Sequence, residues 1–296
     1  MYAQCLSAVN PAGGTSNLLS LEKHSLRFML FYKYGYGNQY YNGYKLSDFD
    51  VISEAHYSYL GNIIGYGISD KLTTEAELGY FFNKTQEYNL EPHYTLSGNG
   101  LSSAVVSVKY QFYTNHIKRI YYSASSGILF PFSRNMQVVN GVVLPIELQT
   151  VSGAYGLVLQ SFFVKENSER GIRYFMTNRL ECYFQGKQDY LPGTAVFSSV
   201  FLSKHLMYNR LKGDWTIILQ LRNETRAHDK NEGQTKESSG GTLFFIVPQI
   251  NYVLLEKWYL SAMVDVPVWQ YYNGTQMGTR LGLTFSLSRA VKLEKE

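Results

Sequence analysis

Residues 72–82 read Leu72-Thr73-Thr74-Glu75-Ala76-Glu77-Leu78-Gly79-Tyr80-Phe81-Phe82. The even positions carry Leu, Thr, Ala, Leu, Tyr and Phe, whereas Glu75, Glu77 and Gly79 fall on odd ones. Successive side chains of a strand point to opposite faces, so this period-2 pattern makes one face greasy and the other charged. The same pattern recurs in Ala104–Tyr113, where Ala104, Val106, Val108, Tyr110 and Phe112 oppose Ser107, Lys109 and Gln111. It recurs in Ile172–Gln185, in Trp215–Glu224, in Trp258–Val268 and in Leu281–Leu287. Weaker segments at about 26–34, 56–68, 119–130, 147–164, 195–207 and 243–253 bring the total to about twelve strands, most of them near the ~9–11 residues that cross a bilayer.

The connections alternate in length. Short ones fall at Ser69–Lys71, Asn115–Lys118, Glu166–Gly171, Asn209–Asp214 and Glu256-Lys257; long ones cover about 35–55, 84–102, 131–146, 186–194, 226–241 and 270–277. Every second turn then lies on one side, as in outer-membrane barrels with short periplasmic turns and long extracellular loops. The expected fold is all-β: a transmembrane antiparallel up-and-down β-barrel of about twelve strands. Residues 1–24 would be a periplasmic leader or a plug, 25–288 the barrel, and 289–296 a polar C-terminal tail. A soluble sandwich also alternates, but it gives no reason for the alternation in loop length.

Composition agrees. The 296 residues include 26 Tyr and 17 Phe, and aromatics make up 16% of the chain, which suits strands and interfacial girdles. Mean hydropathy is −0.20, and no apolar run approaches the ~18–20 residues of a membrane helix. Net charge is +4, without a basic run or stripe, so nucleic-acid binding has little support. The six histidines show no ligand spacing, so no metal or cofactor is implied. Cys5 and Cys182 make no disulfide framework, and Cys182 falls on the greasy face. Met1–Asn10 has no signal-peptide pattern, and Tyr2-Ala3-Gln4-Cys5 no lipoprotein site.

If the apolar faces meet lipid, Arg27, Lys33, Glu75, Glu77, Lys109, Arg173, Arg179, Glu181, Gln220, Arg222, Asp265 and Arg280 face the lumen. A charge at mid-depth on the lipid face would cost ~2–4 kcal/mol. These residues either line a permeation path or form a network that fills the barrel. Phe81, Phe175 and Phe245 would add apolar surface for an amphipathic permeant.

Arg280-Leu281-Gly282-Leu283-Thr284-Phe285-Ser286-Leu287 resembles the C-terminal signal read by the bacterial barrel-assembly machinery, carried by Arg280, Gly282, Phe285 and Leu287, although Ser288–Glu296 follow it. Gly100-Leu101-Ser102-Ser103-Ala104-Val105-Val106-Ser107-Val108-Lys109-Tyr110 resembles a strand of the MetA-pathway of phenol degradation family, with Ser102 and Ser103 where that family often has Gly and Asp. Ile68-Ser69-Asp70-Lys71-Leu72 resembles that family's periplasmic turn. The resemblance, specific over about residues 50–130, implies an outer-membrane channel of a Gram-negative bacterium, some members being linked to aromatic compounds. The expected activity is passive passage of a small, amphipathic or aromatic solute, by a protein that is not an enzyme and whose surroundings are outer-membrane lipid. A closed structural or adhesion barrel whose long loops bind a partner is the alternative. A hydrolase is a remote one, resting on His93, Ser97 and Asn99 beside Pro92 in an expected loop, where the hydrogen-bonded geometry of a triad is not legible.

Overall fold

The computed structural model describes residues 19–89, 91–167, 169–186, 189–209, 213–255 and 257–293. Twelve long strands form the wall: β1 (Ser25–Gly37), β2 (Ile52–Ser69), β3 (Leu72–Tyr88), β4 (Ala104–Asn115), β5 (Ile120–Phe130), β6 (Gly156–Asn167), β7 (Ile172–Tyr183), β8 (Ala195–Asn209), β9 (Gly213–Arg226), β10 (Gly241–Leu254), β11 (Trp258–Gly278) and β12 (Leu281–Lys292). Each pairs antiparallel with its neighbours in sequence, and β12 pairs with β1, so the sheet closes into an up-and-down barrel. Closure leaves no free edge, as a bilayer requires of backbone donors and acceptors. The closing seam runs in register from Ser25 opposite Lys292 to Tyr36 opposite Leu281.

Alternation sets the two faces. Phe28 and Leu30 on β1, Val106 and Val108 on β4, Ile217, Leu219 and Leu221 on β9, and Phe285 on β12 are exposed outward. Their neighbours Met29, Val105, Ser107, Lys109, Ile218 and Gln220 are buried inside. Aromatics edge the apolar band. Near the short turns, Phe112, Tyr113 and Phe163 all pack around Tyr122, Trp215 lies against Tyr252, and Arg289 covers Trp258. Near the long loops stand Tyr80 with Phe82, and Phe244 with Trp269 and Tyr271. Such girdles suit the two membrane interfaces. The protein is a transmembrane barrel of outer-membrane type.

Several boundaries differ from the sequence reading. The expected loop at 84–102 is mostly strand: β3 continues to Tyr88 and pairs with Tyr94–Leu101, a hairpin standing above the wall. The expected loop at 270–277 is also paired. β11 climbs beside β10 as far as Tyr272; then Thr275–Gly278 pairs with Asn42–Gln39, in line with the descent of β12 beside β1. The chain reverses at Asn273-Gly274, where Gly274 takes a left-handed φ of 66°. Conversely, residues 147–155, expected to begin a strand, do not. A 3-10 turn at Ile146–Leu148 follows Pro145, and Leu144, Leu148 and Ala154 are buried. At the C-terminus the strand extends through Lys292, so the first half of the expected tail, Arg289–Lys292, is wall.

Inside, glycines receive rings. A Cβ on Gly35 would lie 2.2 Å from the Tyr57 ring, on Gly61 2.1 Å from Phe31, and on Gly79 1.8 Å from the Tyr59 hydroxyl oxygen. Each glycine thus makes room for an aromatic side chain from the adjacent strand. The result is a buried cluster of Met29, Phe31, Tyr57, Tyr59, Ile63 and Phe81. A second cluster holds Phe162, Val164, Phe175, Phe201 and Ile218, with Phe175 and Phe201 stacked at 4.2 Å. Leu19 packs against that cluster, Ser20 donates to Gln111 Oε1 through Oγ (2.8 Å), and the Leu21 N–H donates to Thr73 Oγ1 (2.8 Å). The end of the leader therefore enters the barrel from the short-turn side. Cys5 and the Gly-rich stretch at Gly13-Gly14 lie outside the described residues.

Candidate functional site

The sequence-read lumen residues assemble into three ionic knots. In the first, Glu75 Oε1 accepts from Arg27 Nη2 and Lys109 Nζ, both at 2.9 Å, and Lys109 also sits 4.5 Å above the Phe162 ring. All three charged groups are almost wholly buried. In the second, two nitrogens of Arg222 face the two carboxylate oxygens of Asp265 at 3.1 and 2.9 Å, and its Nε faces Glu224 at 2.8 Å. Lys33 approaches Asp265 at 3.4 Å, and the Arg222 guanidinium lies over Phe245. In the third, Arg179 Nη1 donates to both oxygens of Glu77 at 3.0 Å and Nε to Glu181 at 2.6 Å, while the Tyr183 hydroxyl donates to the other oxygen of Glu181. Pairing of this kind is what lets a charge remain inside a protein.

Gln220 is also buried inside, donating to Ser199 and accepting from Gln249. Two residues stand apart from these groups. Arg173 pairs with Glu166 at 2.7 Å near a short turn, its side chain 36% exposed. Arg280 is a correction: it keeps the parity of the inward face but lies beyond the enclosed part of the wall, exposed and donating to Asn38. Of the other C-terminal signal positions, Phe285 and Leu287 point outward, and Gly282 faces inward beside Asp265.

A cavity of about 230 Å³ occupies the long-loop half of the barrel, above the first knot. Its floor and walls include Phe31, Tyr59, Ile63, Phe81, Val105 and Leu129, with the third knot on one side. Its roof is the segment from Leu144 to Ser152, folded inward. Gln149 ties that segment down: its Oε1 accepts from the Gln137 N–H, its Nε2 donates to the Leu144 carbonyl, and its own carbonyl accepts from Lys84 Nζ, each at 2.7 Å. The periodicity of the strands does not single out Lys84, Glu147, Tyr183, Arg226 or Asp229, which all line this cavity. Most lie in or beside loops. A buried Asp229, accepting from the Tyr190 hydroxyl and the Gly193 N–H, fastens two loops together. Burial and that carboxylate push the Tyr190 phenol far above its ordinary range.

The segment resembling the MetA-pathway family crosses a discontinuity in the β3–β4 ladder. Glu77 pairs with Val105 on β4, whereas Tyr80 pairs with Leu101. Gly100 takes a φ of 139°, which only glycine adopts easily. The Ser102 N–H donates to Gly79 O (2.8 Å), and its hydroxyl meets Tyr59 Oη (3.3 Å) at the cavity edge. The hydrolase reading finds no support in contact: Ser97 lies in a strand and hydrogen-bonds Thr85, and His93 is exposed.

No family model matches the chain, and no curated protein matches it. Among solved structures, an outer membrane channel from Pseudomonas putida F1 is similar at 12% identity, with a TM-score of 0.71 over 96% of this chain and 100% of that one. A FadL homologue from Pseudomonas aeruginosa aligns far more loosely, at 10% identity and a TM-score of 0.42 over 93% of this chain and 91% of that one. The chain thus has the fold of an outer-membrane channel, as the resemblance at Ile68–Leu72 and Gly100–Tyr110 implies.

Proposed function

We propose that this protein is a channel in the outer membrane of a Gram-negative bacterium, admitting small, amphipathic or aromatic solutes without an energy source. The observation that carries the reading is the cavity. It lies in the half of the barrel that bears the long loops, it is lined by apolar rings, and ionic side chains stand at its side. Pockets for small organic molecules combine these elements: an apolar body with a few placed polar groups. The path would pass the second and third knots at the level of the cavity and descend past the first, with Arg27, Lys33, Glu75, Glu77, Lys109, Arg173, Arg179, Glu181, Gln220, Arg222 and Asp265 as its lining. Mixed signs along that lining favour neither strict anion nor strict cation selectivity. The last strand, through Arg280, Gly282, Phe285 and Leu287, would be read by the barrel-assembly machinery during insertion.

One observation favours a second reading, a closed barrel whose long loops bind a partner. Below the cavity the interior is filled by the cluster of Phe162, Phe175 and Phe201 and by the first knot, and passage requires those side chains to move. Solute uptake by liposomes and conductance in planar bilayers separate the two. Uptake of small aromatics, enhanced when Gln149→Ala loosens the roof, is the outcome expected of a channel. A reconstituted barrel that passes nothing, even without residues 1–20, would sink the channel reading and leave the loop-binding one.

A further inference from the structure

Among the described residues, one carboxylate oxygen of a cavity-lining side chain accepts no hydrogen bond. Glu147 belongs to the 3-10 turn of the roof and lines the cavity, and its Oε1 is sealed from solvent without a hydrogen bond among the described residues. A buried acceptor left unpaired is costly, so a side chain placed this way is poised for a donor that arrives with a ligand. The surrounding charges say which donor. Four carboxylates line the cavity (Glu77, Glu147, Glu181 and Asp229) against three cationic groups (Lys84, Arg179 and Arg226). Arg179 is held by Glu77 and Glu181, and Lys84 by the carbonyl of Gln149. Asp229 is satisfied by Tyr190 and Gly193. Lys236 and Lys84 act on Glu147 through charge, yet its Oε1 accepts no hydrogen bond among the described residues. An ammonium group brings N–H donors to that ionised acceptor, and a charge-assisted bond is about twice as strong as a neutral one.

We propose that the cavity is a docking site for a primary amine on a small apolar body, its ammonium on Glu147 and its hydrocarbon against Phe81, Val105 and Leu129. The proposal deepens the channel reading by naming a class of solute; it rests on that reading for passage but not for binding. Lys84, Lys236 and Asp229 are the charged groups that act on Glu147 from the neighbouring elements. Burial, the largest influence, pushes its carboxyl up to about 7, so docking of the cation should be favoured on the alkaline side of neutrality.

The test is calorimetric titration of the whole detergent-solubilised protein with 2-phenylethylamine and with its near-isostere 3-phenylpropionate. At pH 8 we expect saturable binding of the amine, at least tenfold tighter than that of the acid. Binding should weaken at least tenfold in Glu147→Gln and also at pH 5. Glu147→Asp, which keeps the charge, should retain part of the affinity, and unchanged heat-modifiability on gels establishes that each variant is folded. Equal affinity for Glu147→Gln and wild type, tighter binding of the acid, or no saturable binding of the amine would each overturn the proposal. Conductance is recorded separately on the same preparations. Binding without conductance removes the channel reading and keeps the docking site; conductance without amine binding does the reverse.

Discussion

Glu75 offers the sharpest test of how the interior is held. One of its oxygens accepts from both Arg27 and Lys109 at 2.9 Å, and all three side chains are buried. At an effective dielectric of about 20, each contact contributes roughly 6 kcal/mol of Coulomb attraction. Desolvation of three ions opposes most of this, so the knot's net worth is small. Glu75→Gln is different, because it keeps the shape yet strands two buried cations side by side. Removing one partner from a buried pair costs about 3–5 kcal/mol, and the second cation puts Glu75→Gln at the upper end. Equilibrium unfolding by urea in phospholipid bilayers reads the loss directly. The triple variant Arg27→Met, Glu75→Leu and Lys109→Met removes every charge of the knot together and should recover most of the stability, since an apolar replacement of similar volume is often neutral or better. A Glu75→Gln protein within about 1 kcal/mol of wild type would refute the reasoning. So would a triple variant as unstable as the single one.

Val108 is outward and exposed, so Val108→Arg should lose ~2–4 kcal/mol in bilayers by the same unfolding assay, whereas unchanged stability would contradict the orientation of β4. Gly79→Ala should push the Tyr59 ring off its seat at a cost of roughly 1–3 kcal/mol, and a lowered melting temperature checks it. For the roof, the sign follows from Glu147: the folded carboxyl binds its proton up to about pH 7, the loosened one only to about 4.5. The folded state therefore gains most below the lower value and loses that gain as pH rises to the upper one. Amide exchange across residues 144–152, corrected for intrinsic base catalysis, should accelerate over this window and show no such step in Glu147→Gln.

The wall was legible because a bilayer leaves charge only one place to go. Where an outward stripe is purely apolar, as at Val106 and Val108 around Lys109, the inward face follows from periodicity alone. β1 is harder, since Phe28 and Leu30 point out while Met29 and Phe31 point in; only Arg27 and Lys33 mark its parity. The partners within each knot were not legible. Arg179 and Glu77 lie on β7 and β3, and which residues meet across a lumen depends on tilt and stagger that sequence spacing does not encode. Arg280 kept the right parity at the wrong height. The roof was misread because Leu148 and Val151 suit a strand, whereas Pro145 and the hydrogen bonds of Gln149 turn the chain inward. Glu147 and Asp229, in loops without a period, carried no signal.

The three knots also order the barrel in time. Arg27, Glu75 and Lys109 come from β1, β3 and β4, so their charges can be matched once the first four strands have formed. Glu77 waits for Arg179 on β7. Asp265 and Arg222, on β11 and β9, can meet each other late in the chain, but Lys33 reaches Asp265 only when β1 returns to complete the ring. In an unclosed barrel Lys33 and Asp265 stand apart, on the first strand and the second-last. Joining the ends buries and pairs them in one step, which makes the circular state, rather than any open form, the point at which the interior charges come to rest.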